Sequence, residues 1–260
     1  MKTRILSGLI LAPLLIIVYL GGYVLQAACL TIGIIGIREF YNAFRSAGIK
    51  PSFMIGAILT VALYAVINIG TESRWMMVWF FAVIMASLLY LFIDFPERRL
   101  EDALVTAVGV LYIPFFSIHV ALTERTPYGI LVWLILLTAF GTDIFAYFSG
   151  YLFGKHKLCP AISPKKTIEG SVGGTIGSVA LCTAFAWIFA TELMMDSIII
   201  GAIGGVISQF GDLTASIFKR KLGIKDYGNL IPGHGGILDR FDSILFTAPM
   251  VYYYIVFCMM

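Results

Sequence analysis

This sequence predicts an all-α, polytopic integral membrane protein of about nine transmembrane helices, with its N-terminus in and its C-terminus out. Three observations carry that prediction. The chain is 60% hydrophobic and only 13% charged, where a soluble domain carries roughly 25% charged residues. Its apolar residues gather into runs close to the ~20 residues that cross a bilayer as a helix. Its cations fall almost wholly on one side of those runs.

In order, the runs are Ile5–Leu20, Tyr23–Ile37, Phe53–Ile69, Trp75–Phe95, Ala103–Leu122, Tyr128–Tyr151, Ser171–Ala190, Ile198–Phe218 and Phe241–Met260. The first two are short and joined by Gly21-Gly22, so a re-entrant hairpin is the alternative to two spans. The second run is expected to extend through the amphipathic stretch Arg38–Arg45. Lys2 and Arg4 ahead of an apolar run mimic a signal peptide, but no small-x-small cleavage site follows. An uncleaved first span is expected. With the N-terminus cytoplasmic, only Arg74 and Arg125 of the 18 Lys and Arg fall outside. A wrong span count would scramble that partition.

The chain then divides into spans one to five (1–125) and spans six to nine (126–260). The second half carries two cationic cytoplasmic loops, 154–170 and 219–240. Small residues at Gly170-x-x-x-Gly174, Gly173-x-x-x-Gly177 and Gly201-x-x-x-Gly205 suit close helix contact. That contact is expected within the chain, with a homodimer as the alternative. The four cysteines lack metal-ligand spacing, and three lie in apolar runs. They read as small hydrophobic residues.

An ionised carboxylate inside hydrocarbon is costly and usually functional. Asp143 lies roughly 16 Å, and Asp212 roughly 10 Å, inside the cytoplasmic ends of their helices, at 1.5 Å per residue. Ser208, Asp212 and Ser216 share one face at i, i+4, i+8, and Lys219 continues that stripe to the membrane edge. Asp239 and Asp242 open the last span, where acids favour the helix N-terminus. Asp239 follows a glycine-rich turn, and with Asp212 it would bridge Mg²⁺, which prefers carboxylates, water and substrate phosphates.

Lys219, Arg220 and Lys221 read either as a stop-transfer cluster or, with Lys225 and Asp226, as a phosphate site. Lys165, Lys166 and Thr167 suit a triphosphate. Thr167 and Glu169 also suit a helix cap. Gly233, Gly235 and Gly236 let backbone N–H groups approach an anion, and His234 between them suits a donor to phosphate or to a leaving group. Gly150-x-x-x-Gly154-Lys155-His156 falls one residue short of a P-loop. Chemistry on phosphates at a membrane surface follows. A proton- or Na⁺-coupled transporter using Asp143 and Asp212 is an alternative, though no internal repeat supports it. A CTP-dependent polyprenol kinase is another.

The segment Ser216–Asp242 resembles the signature of the phosphatidate cytidylyltransferases, or CDP-diacylglycerol synthases. That pattern reads Ser-x-x-Lys-Arg, four residues, Lys-Asp-x-Gly, then Pro-Gly-His-Gly-Gly-x-x-Asp-Arg-x-Asp. Ser216, Lys219, Arg220, Lys225, Asp226, Gly228, Pro232, Gly233, His234, Gly235, Gly236, Asp239, Arg240 and Asp242 fill it without a gap. The loop Ser163–Gly170, with Thr142-Asp143, Ala146-Tyr147, Gly150 and Gly154-Lys155 before it, is similar to a second family segment. The first ~125 residues resemble the family only in hydropathy and span number. The charge partition puts the two cationic loops at the cytoplasmic face of what is expected to be a bacterial inner membrane. The resemblance implies transfer of CMP from CTP to phosphatidic acid, giving CDP-diacylglycerol and pyrophosphate. It implies Mg²⁺ held at Asp212 and Asp239, with K⁺ as a second cation. It implies no nucleic-acid partner.

Overall fold

The structure, a computed structural model, describes residues 13–70, 73–230 and 235–260. Part of the first expected span, and Gly233 and His234 of the expected site, lie outside those residues. The described chain is helical apart from one small hairpin. Helix α1 includes residues 13–20. Then follow α2 (Gly22–Ser46), α3 (Phe53–Ile69), α4 (Ser73–Leu89), α5 (Leu100–Tyr112), α6 (Pro114–Glu124) and α7 (Val132–Phe153). Strands β1 (Lys157–Cys159) and β2 (Ser163–Thr167) precede α8 (Ile168–Phe189), α9 (Met194–Lys221) and α10 (Leu238–Tyr254).

Among the described residues, seven helical stretches are long and apolar enough to cross a membrane, and α3 adds a shorter apolar helix of 17 residues. The chain is therefore an all-α polytopic membrane protein. Helix α2 continues through Arg38–Arg45 to Ser46, as its amphipathic pattern predicts. The fifth expected span is two helices, α5 and α6, meeting at Ile113. Pro114 sits at the first position of α6, where its missing N–H costs nothing. Helix α9 runs on through Lys219, Arg220 and Lys221, so these cations form a last helical turn and the loop expected from residue 219 starts after them.

The chain forms two compact units. The first comprises Met1–Ala121 with Lys221–Arg240. Tyr41 is fully buried at its centre and donates to the Thr106 carbonyl at 2.6 Å. Gly56 and Gly109 are required beside it, because a Cβ at either would strike the Tyr41 ring. Asp102, 2% exposed, accepts from Lys50 N at 2.6 Å and from Arg99 N at 3.0 Å. It thereby caps α5 and pins the connection between α2 and α3. Trp79 on α4 donates to the Leu59 carbonyl at 2.8 Å and stacks on Phe115.

The second unit comprises Leu122–Arg220 with Phe241–Met260. Its helices approach through the small residues that the sequence marked. A Cβ at Gly174 would lie 2.9 Å from the Thr142 carbonyl, and one at Gly177 would strike Phe145. At Gly201 and Gly205 it would lie 2.8 Å and 3.0 Å from Val179 Cα and Thr175 Cα. Polar side chains add bonds across the same seams, as is usual in lipid. Gln209 donates to the Ser171 carbonyl at 3.2 Å, and Thr247 to the Ile135 carbonyl at 3.3 Å.

Candidate active site

The second unit encloses a cavity of about 490 Å³ between α7, the hairpin, α8 and α9. Asp143, Lys165, Lys166, Thr167, Gln209 and Asp212 are among the residues lining it. Three segments far apart in sequence, α7, β2 and α9, thus deliver five of the residues expected to bind substrate or metal.

Each is placed by a local cause. The expected loop 154–170 contains the antiparallel hairpin, with Lys157 opposite Thr167. Thr167 then caps α8, its hydroxyl accepting from Gly170 N at 3.1 Å. The same hydroxyl would meet a Cβ at Gly150, Gly154 or Gly170 at 2.9 Å, so three glycines close around one cap. Glu169 accepts from Lys155 N at 3.1 Å and contacts His156 Nδ1 at 2.7 Å, tying the end of α7 to the start of α8. The cap expectation is met for Thr167, whereas Glu169 turns its carboxylate to Lys155 and His156. Lys165 and Lys166 project from the strand held between these ties.

On α9, the Asp212 carboxylate is ion-paired with the Lys166 ammonium, both side chains about one quarter exposed. Ser216, one turn on, donates to Asp212 Oδ1 at 3.4 Å, as the i, i+4 stripe predicts. Arg220 donates to the Ile162 carbonyl at 3.2 Å and so reaches the hairpin. At Gly211, a Cβ would lie 2.6 Å from the Asp242 carbonyl. Glycine there brings the start of α10 against α9 next to Asp212. The Asp242 carboxyl, 7% exposed, consequently lies in the field of Asp212, Asp143 and Lys219. Apart from its place in the signature, the sequence offered Asp242 as a helix-end acid. Its place beside the intramembrane pair depends on Gly211, which carries no signal by itself.

The first unit carries the remaining expected residues. Lys225 and Asp226 are exposed. Asp239 Oδ2 accepts from Tyr227 N at 2.8 Å and Gly236 N at 3.0 Å, so this carboxylate closes the loop that contains Gly235 and Gly236. Gly235 adopts φ +86°, a left-handed conformation that glycine takes without strain. Arg240 is half-buried in the first turn of α10. The sequence missed Glu39, a buried acid on α2. Its carboxylate accepts from Ile237 N at 3.0 Å and Leu238 N at 2.9 Å.

The donor set suits a hard divalent cation. Asp143, Asp212 and Asp242 offer only oxygen, and the Lys166 ammonium on Asp212 shows that this carboxylate already holds a positive charge. Among the described residues, no three His, Cys, Asp or Glu side chains are gathered as a metal cluster. Mg²⁺ commonly takes one or two carboxylates and fills its shell with water and phosphate.

A family model described as "Cytidylyltransferase family" matches residues 2–258. A Synechocystis protein named phosphatidate cytidylyltransferase is 35% identical, over 97% of this chain and 96% of that protein. Proteins of the same name from Staphylococcus aureus and Staphylococcus haemolyticus are 34% and 32% identical, each over 96% of this chain and 97% of its own length.

Proposed function

This chain belongs to the cytidylyltransferase family, and on that premise we propose that it transfers CMP from CTP to phosphatidic acid. The products are CDP-diacylglycerol, an intermediate for phospholipid synthesis, and pyrophosphate. One observation carries the reading to this chain's own residues. Lys165 and Lys166 share a cavity with Asp143 and Asp212.

The nucleophile is a phosphate oxygen of phosphatidic acid, already anionic at neutral pH. No strong general base is needed. A bond forms from that oxygen to the α-phosphorus of CTP. The bond to the bridging oxygen breaks, and its electron pair leaves on pyrophosphate. The difficulty is to hold two anions together, so positioning and electrostatics supply most of the acceleration.

Lys165 and Lys166 meet phosphate oxygens in the cavity, and Thr167 fixes the end of the strand from which they project. Lys219, Arg220, Lys225 and Arg240 supply further positive charge. Gly233 and Gly235 offer backbone N–H groups, whereas the Gly236 N–H is taken by Asp239. Asp226 holds the turn, and His234 donates to the departing phosphate. Within the second unit, Asp212 and Asp143, which line the cavity, would hold Mg²⁺, with K⁺ as a second cation, and Asp239 is proposed as a metal ligand on the signature alone. When bound, the metal would neutralise charge on the triphosphate and the leaving group. Ser216 orients Asp212.

The reading also takes nine spans, N-in and C-out, in a bacterial inner membrane, with the cavity facing the cytoplasm. The positive-inside asymmetry supports this. The Gly-x-x-x-Gly contacts lie within the chain, so a homodimer would need another surface. The test is incubation of purified protein with CTP, phosphatidic acid and MgCl₂. Pyrophosphate release should require all three and stop when EDTA replaces MgCl₂. Release of CDP, or pyrophosphate release without the lipid, would contradict the assignment.

A further inference from the structure

We infer that Glu39 is a positioning residue for the signature loop, acting from a transmembrane helix that the sequence pattern of the family does not mark. The inference rests on the proposed function only in taking the loop that ends at Asp239 as part of the active site. All the contacts it uses lie within the first unit.

Glu39 lies seven residues before the end of α2, about 10 Å along the helix. It is 8% exposed. A carboxylate buried in a membrane helix needs compensation for lost solvent. Glu39 finds it at the start of α10. Oε1 accepts from Ile237 N at 3.0 Å and Oε2 from Leu238 N at 2.9 Å. Amides at a helix start have no partner inside their helix. The helix N-terminus also favours negative charge, and hydrogen bonds to an ionised acceptor are the stronger kind. The two oxygens together fix the rotation as well as the position of the first turn of α10.

A second, independent observation points the same way. The loop packs so closely on this carboxylate that two of its glycines have no room for a side chain. A Cβ at Gly228 would lie 2.7 Å from Glu39 Oε1, and one at Gly236 would lie 2.6 Å from Glu39 Cδ. Both are positions of the loop's fixed pattern. Tyr227, 6% exposed, also packs beside Phe40, the next residue of α2, with ring centroids 6.3 Å apart. The neighbouring amides, Tyr227 N and Gly236 N, go to Asp239. Two carboxylates thus divide the work. Asp239 closes the loop on itself, and Glu39 anchors the closed loop to α2. Glu39 would set the position of Asp239 and Asp226 without touching substrate.

The test uses the full-length protein in detergent and two kinds of readout. Glu39→Gln keeps the size but replaces one acceptor by an NH₂ that meets a backbone N–H head-on. It should lower kcat/KM for CTP at least tenfold with the unfolding temperature nearly unchanged. Glu39→Asp keeps the charge on a shorter arm and should recover part of the loss. Hydrogen exchange should quicken at the amides of Ile237 and Leu238, while α5 and α6 exchange at the wild-type rate. Gly228→Ala should cost activity in the wild-type background and add no further loss in Glu39→Ala, because the clash needs both groups.

Glu39→Gln with kcat/KM within twofold of wild type would overturn the inference. So would additive effects of Gly228→Ala and Glu39→Ala, or exchange that rises uniformly across the protein. The exchange measurement needs no substrate. Wild-type protein that makes no CDP-diacylglycerol would therefore overturn the proposed function, while the exchange result still decides the role of Glu39.

Discussion

Asp212 sits in an apolar helix, with Ser216 donating to one oxygen and Lys166 paired to the other. Both partners supply the carboxylate with a donor or a counter-charge at the wall of the cavity. Asp212→Asn removes the charge and keeps the shape. It should lower kcat by roughly 10³-fold or more, the scale set by loss of preorganised electrostatic groups, while helical content by circular dichroism stays at the wild-type level. Lys219→Ala should raise KM for CTP or lower kcat in a CTP titration. Unchanged values of both would reduce Lys219 to a topology signal. Single residues were legible where they broke the apolar pattern. Asp143 and Asp212 stood out as charges in hydrocarbon, and Lys165-Lys166 as a loop pair. The pairing of Lys166 with Asp212 was not legible, since no local spacing links a strand to a helix so far along the chain. Glu39 escaped because its partners are backbone amides, which leave no trace in side-chain identity.

At the scale of elements, the helix starts depend on small polar caps and the helix contacts on absent side chains. Thr167→Val removes the acceptor for Gly170 N. It should cost about 1 kcal/mol, as loss of a threonine cap commonly does. The same change should also lower activity, because the cap holds the strand that carries Lys165 and Lys166. Gly177→Leu should be worse, since a Cβ alone would already strike Phe145. The expected result is loss of monodisperse protein on size exclusion, where an exposed glycine would tolerate the change. The Gly-x-x-x-Gly spacing made these contacts readable. The hairpin was not readable, because Lys-Leu-Cys and Ser-Pro-Lys-Lys-Thr lack the alternation that marks a half-buried strand. The break at Ile113 was signalled by Pro114, and hydropathy averaging over that run concealed it.

For the whole molecule, composition and charge asymmetry predict a polytopic helical protein, and seven span-length helices among the described residues agree. Orientation is a separate expectation with its own test. Cys159 lies in the hairpin. In a variant with Cys29, Cys182 and Cys258 replaced, a membrane-impermeant maleimide should label Cys159 in inverted vesicles and not in intact cells. A cysteine introduced as Arg125→Cys, with Cys159 also replaced, should show the opposite pattern. Labelling of both from one side would refute the topology. Chemistry was legible mainly in the C-terminal half, where charged residues crowd into short motifs. The buried acid of α2 shows that the N-terminal helices also shape the signature loop, through contacts that hydropathy does not encode.

The most direct test of the central claim follows both ends of CTP at once. Purified protein is given CTP labelled at the α- and γ-phosphates with different isotopes, together with phosphatidic acid and Mg²⁺. The account predicts that the α-label moves into the lipid as CDP-diacylglycerol while the γ-label leaves as pyrophosphate, and that Asp212→Asn abolishes both. Transfer of the γ-label to lipid, or retention of both labels in soluble nucleotide, would contradict it.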